Sequence, residues 1–120
     1  KLNDEELMQL GSGGDLEESA LQMREQYGFE LLIVTCGEKG AMFVDSRGVE
    51  WGEPVRVENL VDTVGAGDAF SSVSILGLLH GWPVKKTLRH ALGFAARLCE
   101  VRGAVLPDKS WYQNALSEWA

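Results

Sequence analysis

The run FELLIVTCG, residues 29–37, constrains the fold of this 120-residue chain more than any other stretch. It is mostly apolar, rich in β-branched residues and bounded by Gly28 and Gly37. A strand with one wet face alternates polar and apolar residues, whereas a nearly unbroken apolar run reads as a strand covered on both faces, as in a sheet between helices. Just ahead of it, Leu16, Ala20, Met23 and Tyr27 recur at i, i+4, i+7 and i+11, one face of a helix that Gly28 can terminate. Just behind it, GAMFVDSRGVEW reads as two shorter strands around the turn DSRG, and PVRVENLV as a further extended piece. These are antiparallel additions at the margin of the sheet.

Helices dominate the rest. NDEELMQL predicts a short helix with Asn3 as N-cap and Glu6 three residues on, followed by a break over residues 11–14. From Ala66 the run AGDAFSSVSILGLLHG is apolar on nearly every side, which predicts a largely buried helix. Pro83 opens another, in which Val84, Leu88, Ala91, Leu92, Ala95, Leu98 and Cys99 form a stripe and Gly103 is the stop signal. Beyond Pro107 a terminal helix is expected, capped by Asp108 or Ser110. The element order fits one layered α/β domain whose sheet has few strands of its own.

Charge and cysteine usage narrow the partners. Eighteen acidic against eleven basic residues give a net charge of −7, which disfavours nucleic acid and anionic membranes, so any bound phosphate must be held locally. Cys36 and Cys99 lie far apart with no paired spacing, which argues against zinc and against a disulfide framework and suits a reducing, cytoplasmic setting. No apolar run reaches the ~18–20 residues of a membrane span. Trp51, Trp82, Trp111 and Trp119 read as packing residues, and His80 and His90 as surface or helix-end residues.

The chemistry concentrates at Gly65, Ala66, Gly67 and Asp68, where the long apolar helix begins. A helix start leaves backbone N–H groups without intrahelical partners, and with the macrodipole behind them they bind an anion if side chains do not block the approach. Small residues leave that approach open. Asp68 fits two readings: a charge stabilising the first turn by about 0.3–1 kcal/mol, or a base. A purely structural carboxylate would repel the anion beside it, whereas in phosphoryl transfer it can orient the attacking hydroxyl and receive its proton. A Walker A pattern is absent, so a P-loop enzyme is disfavoured.

The nine residues DTVGAGDAF, 62–70, resemble the second signature of the ribokinase-like, or PfkB, family of sugar and nucleoside kinases. KLNDEE resembles that family's N-x-x-E motif through Asn3 and Glu6, and VTCGEKGA its T-x-G-x-x-G segment through Thr35, Gly37 and Gly40, in the family's order. The resemblance implies a three-layer α/β/α fold of which this chain, residues 1–120, is the C-terminal, nucleotide-binding and catalytic part with a partial sheet. It implies Asp68 as base and the amides of Gly65, Ala66 and Gly67 as anion hole. Asn3, Thr35, Gly37, Lys39, Gly40 and Gly67 would face ATP, with its base near Leu92, and Glu6 would hold magnesium through water. A monovalent cation, potassium, would sit at Asp62, Val64, Val101 and Gly103. Several of these residues keep plain structural readings: Asn3 and Glu6 satisfy a capping box by themselves, Thr35 to Gly40 is also a strand leaving through a turn, Lys39 is equally a solvated lysine, and Asp62 suits fixing the loop by backbone hydrogen bonds.

The expected activity is ATP-dependent phosphorylation of a small sugar, fructokinase-like in style, with the fragment inactive alone. A nucleoside kinase of the same family and a noncatalytic nucleotide-binding or regulatory domain are the alternatives. An incomplete sheet exposes an edge, so a homodimer through that edge is a further expectation.

Overall fold

The computed structural model describes residues 1–11 and 13–120, and Ser12, within the predicted break, lies outside the described residues. The chain forms two compact units, Lys1–Pro54 and Val55–Ala120.

The first unit carries the sheet. Strand β1 (Leu2–Asn3) leads into helix α1 (Asp4–Leu10), then α2 (Leu16–Tyr27), and the chain returns as β2 (Leu32–Thr35). Strands β3 (Ala41–Asp45) and β4 (Gly48–Gly52) complete a four-stranded sheet in the order β1-β2-β3-β4. β1 pairs parallel with β2, through Leu2 opposite Val34 and Asn3 opposite Thr35, whereas β3 and β4 are antiparallel additions, as the sequence predicts. Leu7 of α1 and Ala20 and Met23 of α2 pack with Leu32, Val34, Met42 and Val44 of the sheet in one apolar cluster. The helix α2 ends where Gly28 adopts the left-handed conformation, φ 66°, as expected of a C-cap glycine.

Two strand expectations need correcting. Only four residues of the apolar run form β2, because Phe29 still donates its amide to Arg24 O at 3.1 Å in the helix exit and stacks its ring on Tyr27 at 5.6 Å. Its burial alternates, and it is β3 that is buried at four successive positions, Ala41 to Val44. The second correction concerns PVRVENLV, which adopts no regular structure. The amides of Val61 and Asp62 both donate to Cys99 O, at 2.9 and 3.1 Å, and so satisfy the end of a helix instead of a sheet ladder.

The second unit is helical: α3 (Ala66–Leu79), α4 (Val84–Cys99) and α5 (Lys109–Trp119). α3 and α4 lie against each other so closely at Gly77 that a Cβ there would stand 2.6 Å from the Thr87 side chain. The three serines of α3 are compatible with apolar surroundings because each hydroxyl donates to the carbonyl one turn back: Ser71 to Gly67, Ser72 to Asp68 and the fully buried Ser74 to Phe70, at 2.8–2.9 Å. The expectation of a largely buried α3 holds for Ala69, Phe70, Val73, Ser74 and Gly77 only, since Ile75, Leu78 and Leu79 are exposed. Asp108, not Ser110, is the N-cap of α5, its carboxylate accepting the Ser110 amide at 2.9 Å. α4 ends at Cys99, short of Gly103, and α5 returns Trp119 to the ring of His90, 5.5 Å between centroids. Among the described residues no helix is long and apolar enough to cross a membrane.

Candidate active site

In the second unit, the loop 62–65 and the segment 99–104 are tied together before α3 begins. Asp62 spans them: one carboxylate oxygen accepts the Val64 amide at 3.0 Å and the other the Gly103 amide at 3.1 Å. These backbone bonds hold its carboxyl below the usual carboxylate range. The glycine at 65 is then required twice. Its φ of 80° is left-handed, and a Cβ on it would come within 2.7–2.8 Å of Ala104. The first helical turn closes with Ala69 donating to Gly65 O at 2.9 Å, and Ala66 donates to Thr63 O at 3.2 Å. The Ala66 amide is thus engaged by the protein. The amides of Gly67 and Asp68 lie between, at positions whose intrahelical acceptors would fall ahead of the helix. They are the donors this turn can offer to an anion, and Gly67 brings no side chain into their way.

Asp68 is exposed in that same turn. It borders a cavity of about 290 Å³ lined by Ala69, Ser72, Val73 and Leu76 of α3, Phe94 and Leu98 of α4, and Tyr112, Ala115, Leu116 and Trp119 of α5. Gly65 and Ala104 complete its rim. The carboxylate therefore stands at the edge of an apolar hollow, in the turn that carries the Gly67 and Asp68 amides, an arrangement that suits a proton acceptor for a bound hydroxyl. Tyr112 also accepts the Leu106 amide at 3.1 Å, which fixes its ring at the cavity wall. Of the α5 residues on its wall, the sequence marks only Trp119, as a packing residue, and gives no sign of Tyr112, Ala115 or Leu116. Leu92 is half-buried on α4 and does not line this cavity.

A cation near this loop would find oxygen donors. The Asp62 carboxylate retains a lone pair on each oxygen beyond its two amide bonds, and the carbonyls of Val64, Val101 and Gly103 belong to the segments it joins. Among the described residues no three His, Cys, Asp or Glu side chains cluster as a metal site, so such a cation would rest mainly on backbone carbonyls, donors that suit a hard ion.

The remaining candidates lie in the first unit. Asn3 and Glu6 form a complete capping box: the Glu6 amide donates to Asn3 Oδ1 and the Asn3 amide to Glu6 Oε2, both at 2.8 Å. Both residues are exposed, and the second Glu6 oxygen is the one that could turn to a hydrated magnesium ion. The pairing of β1 with β2 sets Asn3 opposite Thr35, so the two motifs meet at one end of the parallel pair. There the chain turns tightly: Lys39 donates to Cys36 O at 3.0 Å, Gly40 to Gly37 O at 3.2 Å, and Cys36 to Gly40 O at 2.8 Å. Gly37, φ 55°, faces open space on its Cβ side, whereas a side chain on Gly40, φ 94°, would collide with the Gly52 carbonyl. The first glycine leaves a bare approach for a ligand and the second is needed for packing. Lys39 is exposed at the tip. Cys36 is buried, and burial, with Asp4 adding and Lys39 opposing, pushes its thiol up to about 11, so it is not a nucleophile at neutral pH.

The chain matches the pfkB family carbohydrate kinase over residues 1–111. It is 37% identical over 78 residues to 1-phosphofructokinase of Haemophilus influenzae, covering 65% of this chain and 25% of that protein. It is 38% identical over 104 residues to ATP-dependent 6-phosphofructokinase of Thermoanaerobacterium thermosaccharolyticum, covering 80% of this chain and 30% of that protein. Among solved structures, ribokinase from Thermotoga maritima superposes with a TM-score of 0.78 over 96% of this chain and 40% of its own, at 24% identity, so the fold is ribokinase-like. The chain spans between a quarter and a third of the length of the two curated relatives.

Proposed function

Since the chain belongs to the pfkB family of carbohydrate kinases, we propose that it is the nucleotide-binding and catalytic part of an enzyme that transfers the terminal phosphoryl group of ATP to a hydroxyl of a small sugar. The observation that carries this reading is Asp68, exposed in the first turn of α3 and bordering a cavity, immediately after Gly67, which brings no side chain into the way of the turn's amides. The acceptor hydroxyl lies against the Asp68 carboxylate. Its oxygen attacks the γ-phosphorus, the bond from phosphorus to the bridging oxygen breaks, ADP departs, and the hydroxyl proton passes to Asp68. The Gly67 and Asp68 amides stabilise the charge on the transferred group, an effect that in other oxyanion sites is worth ~3–4 kcal/mol per donor.

Asn3, Thr35, Gly37, Lys39 and Gly40 would contribute the nucleotide contacts of the first unit. Magnesium held through water by Glu6 would neutralise charge on the ATP phosphates. A potassium ion at Asp62 and the neighbouring carbonyls would add positive potential behind the glycine turn. ATP as donor is supported by the ATP-dependent relative at 38% identity. A cytoplasmic location fits a substrate pair of this kind.

The test is Asp68→Asn in the full parent protein that carries these residues, assayed with ATP, magnesium and a panel of sugars and sugar phosphates. The amide keeps the shape and the backbone donors but cannot accept the proton. The expected result is a fall in kcat of at least ~10²-fold, the usual scale of a general base, with ATP affinity nearly unchanged. Equal turnover of the two forms would remove Asp68 from the mechanism.

A further inference from the structure

A second cavity of the helical unit carries chemistry that the proposed reaction does not use. It has a volume of about 260 Å³ and is bounded by Arg56, ahead of the glycine loop, by Arg89, His90, Phe94 and Arg97 on α4, and by Trp119 at the end of α5. Three exposed arginines line it in a chain whose net charge is −7. Two carboxylates, Glu100 and Glu118, also line it. Yet among the described residues no ion pair within 4 Å joins either glutamate to Arg56, Arg89 or Arg97, so neither neutralises these arginines by contact. His90 adds no standing charge at neutral pH, because burial, reinforced by Arg89 and Lys86 and opposed by Glu118, holds its imidazole below the usual range.

The floor of the cavity is Gly93, one turn from both Arg89 and Arg97. A glycine inside a helix costs about 0.5–1 kcal/mol relative to alanine. Elsewhere in this unit the helical glycine is explained by packing, as at Gly77 against Thr87, but a Cβ on Gly93 would meet nothing within 4 Å. Its missing side chain leaves the space between the two arginines open. Phe94 and Trp119, 5.5 Å apart between centroids, give that space a rigid aromatic wall.

We propose that this cavity binds a small polyanion, a di- or trianionic carboxylate or phosphate metabolite, through Arg56, Arg89 and Arg97, as a site separate from the glycine cradle at α3. Planar guanidinium forks match carboxylate and phosphate oxygens in pairs, and the volume accommodates a compact anion with its first waters.

The experiment titrates citrate, and in a parallel arm pyrophosphate, into the full chain and follows tryptophan emission, which Trp119 at the wall makes sensitive to occupancy. Each titration is run with and without saturating ATP and magnesium, so that the glycine cradle is filled in one series. The expected result is a saturable change with the same midpoint in both series for at least one anion, the tighter arm identifying the anionic group. Arg89→Gln with Arg97→Gln should raise the midpoint at least tenfold. Gly93→Leu, a substitution that improves helix propensity at an unobstructed site, should abolish the change by filling the floor. Lack of binding by the unaltered chain, unchanged midpoints in these variants, or loss of binding when ATP is present would overturn the proposal.

Discussion

At residue scale the site depends on positions where a side chain must be absent as much as on those where one is present. Gly65 is the clearest case, since a left-handed φ and an approach to Ala104 closer than real Cβ contacts allow act on the same residue. Gly65→Ala should therefore lower stability by about 1–3 kcal/mol, the scale of a residue forced into a sparsely populated conformation. Because the glycine also sets the direction in which α3 starts, the substitution should weaken nucleotide binding as well. Thermal unfolding and ATP titration of the same variant check both, and a variant as stable as the parent would show that the loop relaxes freely around Ala104. Asp62, three residues earlier, contributes by accepting the backbone amides of Val64 and Gly103, 39 positions apart in sequence. Its role near the cradle is to hold, whereas reaction is the role proposed for Asp68.

At the scale of elements, the packing of α3 on α4 tests how tightly the helix bearing Asp68 is held. Gly77→Ala gains about 1 kcal/mol of helix propensity, but its Cβ would stand 2.6 Å from Thr87, a short branched side chain buried between the helices. Overpacking of this kind costs about 1–3 kcal/mol, so the net effect should be destabilising. Adding Thr87→Ala should recover most of the loss, giving a coupling of opposite sign to the single effects in a double-mutant cycle by urea unfolding. Simple additivity would mean the helices move apart instead. The same elements show what a sequence can reveal. α2 and α4 were legible because apolar residues recur at helical spacing, α5 because a proline and a capping residue precede it, and the hairpin β3–β4 because a turn separates two short apolar runs. β1 was not, since two residues have no periodicity and exist as strand only through pairing with β2. The glycine turn and its aspartate were legible because backbone donors and a carboxylate follow from residue type alone. The hollow beside them was not, since its walls come from Phe94, Tyr112 and Leu116, which approach Asp68 only through tertiary packing.

For the whole molecule, the ionisable groups that differ from their ordinary values set the pH range of stability. Asp62 and Asp108 are made more acidic by backbone hydrogen bonds, and Asp45 by hydrogen bonds from Arg47. As pH falls, the unfolded chain takes up protons at these carboxylates before the folded one does. The stability they contribute is complete above the unfolded value near ~3.9 and is lost as pH drops through the lower folded values. His90 acts in the same direction: its folded value is depressed, so its contribution is complete above ~6.5 and declines on acidification from there. Cys36 acts at the other end. Its thiol stays protonated in the fold up to about 11 against an ordinary 9.0, so the unfolded chain releases its proton first and stability falls as pH climbs between those values. Urea midpoints measured from pH 3 to 11 should therefore form a plateau between about pH 6.5 and 9 with a decline on each side. Asp62→Asn should lower the plateau, because an amide cannot accept both the Val64 and Gly103 amides through its NH₂ end, and should flatten the acid limb, because one proton-linked group has been removed. A variant with a lower plateau but an unchanged acid slope would show that the acid limb belongs to other groups and that Asp62 holds the two segments by shape alone.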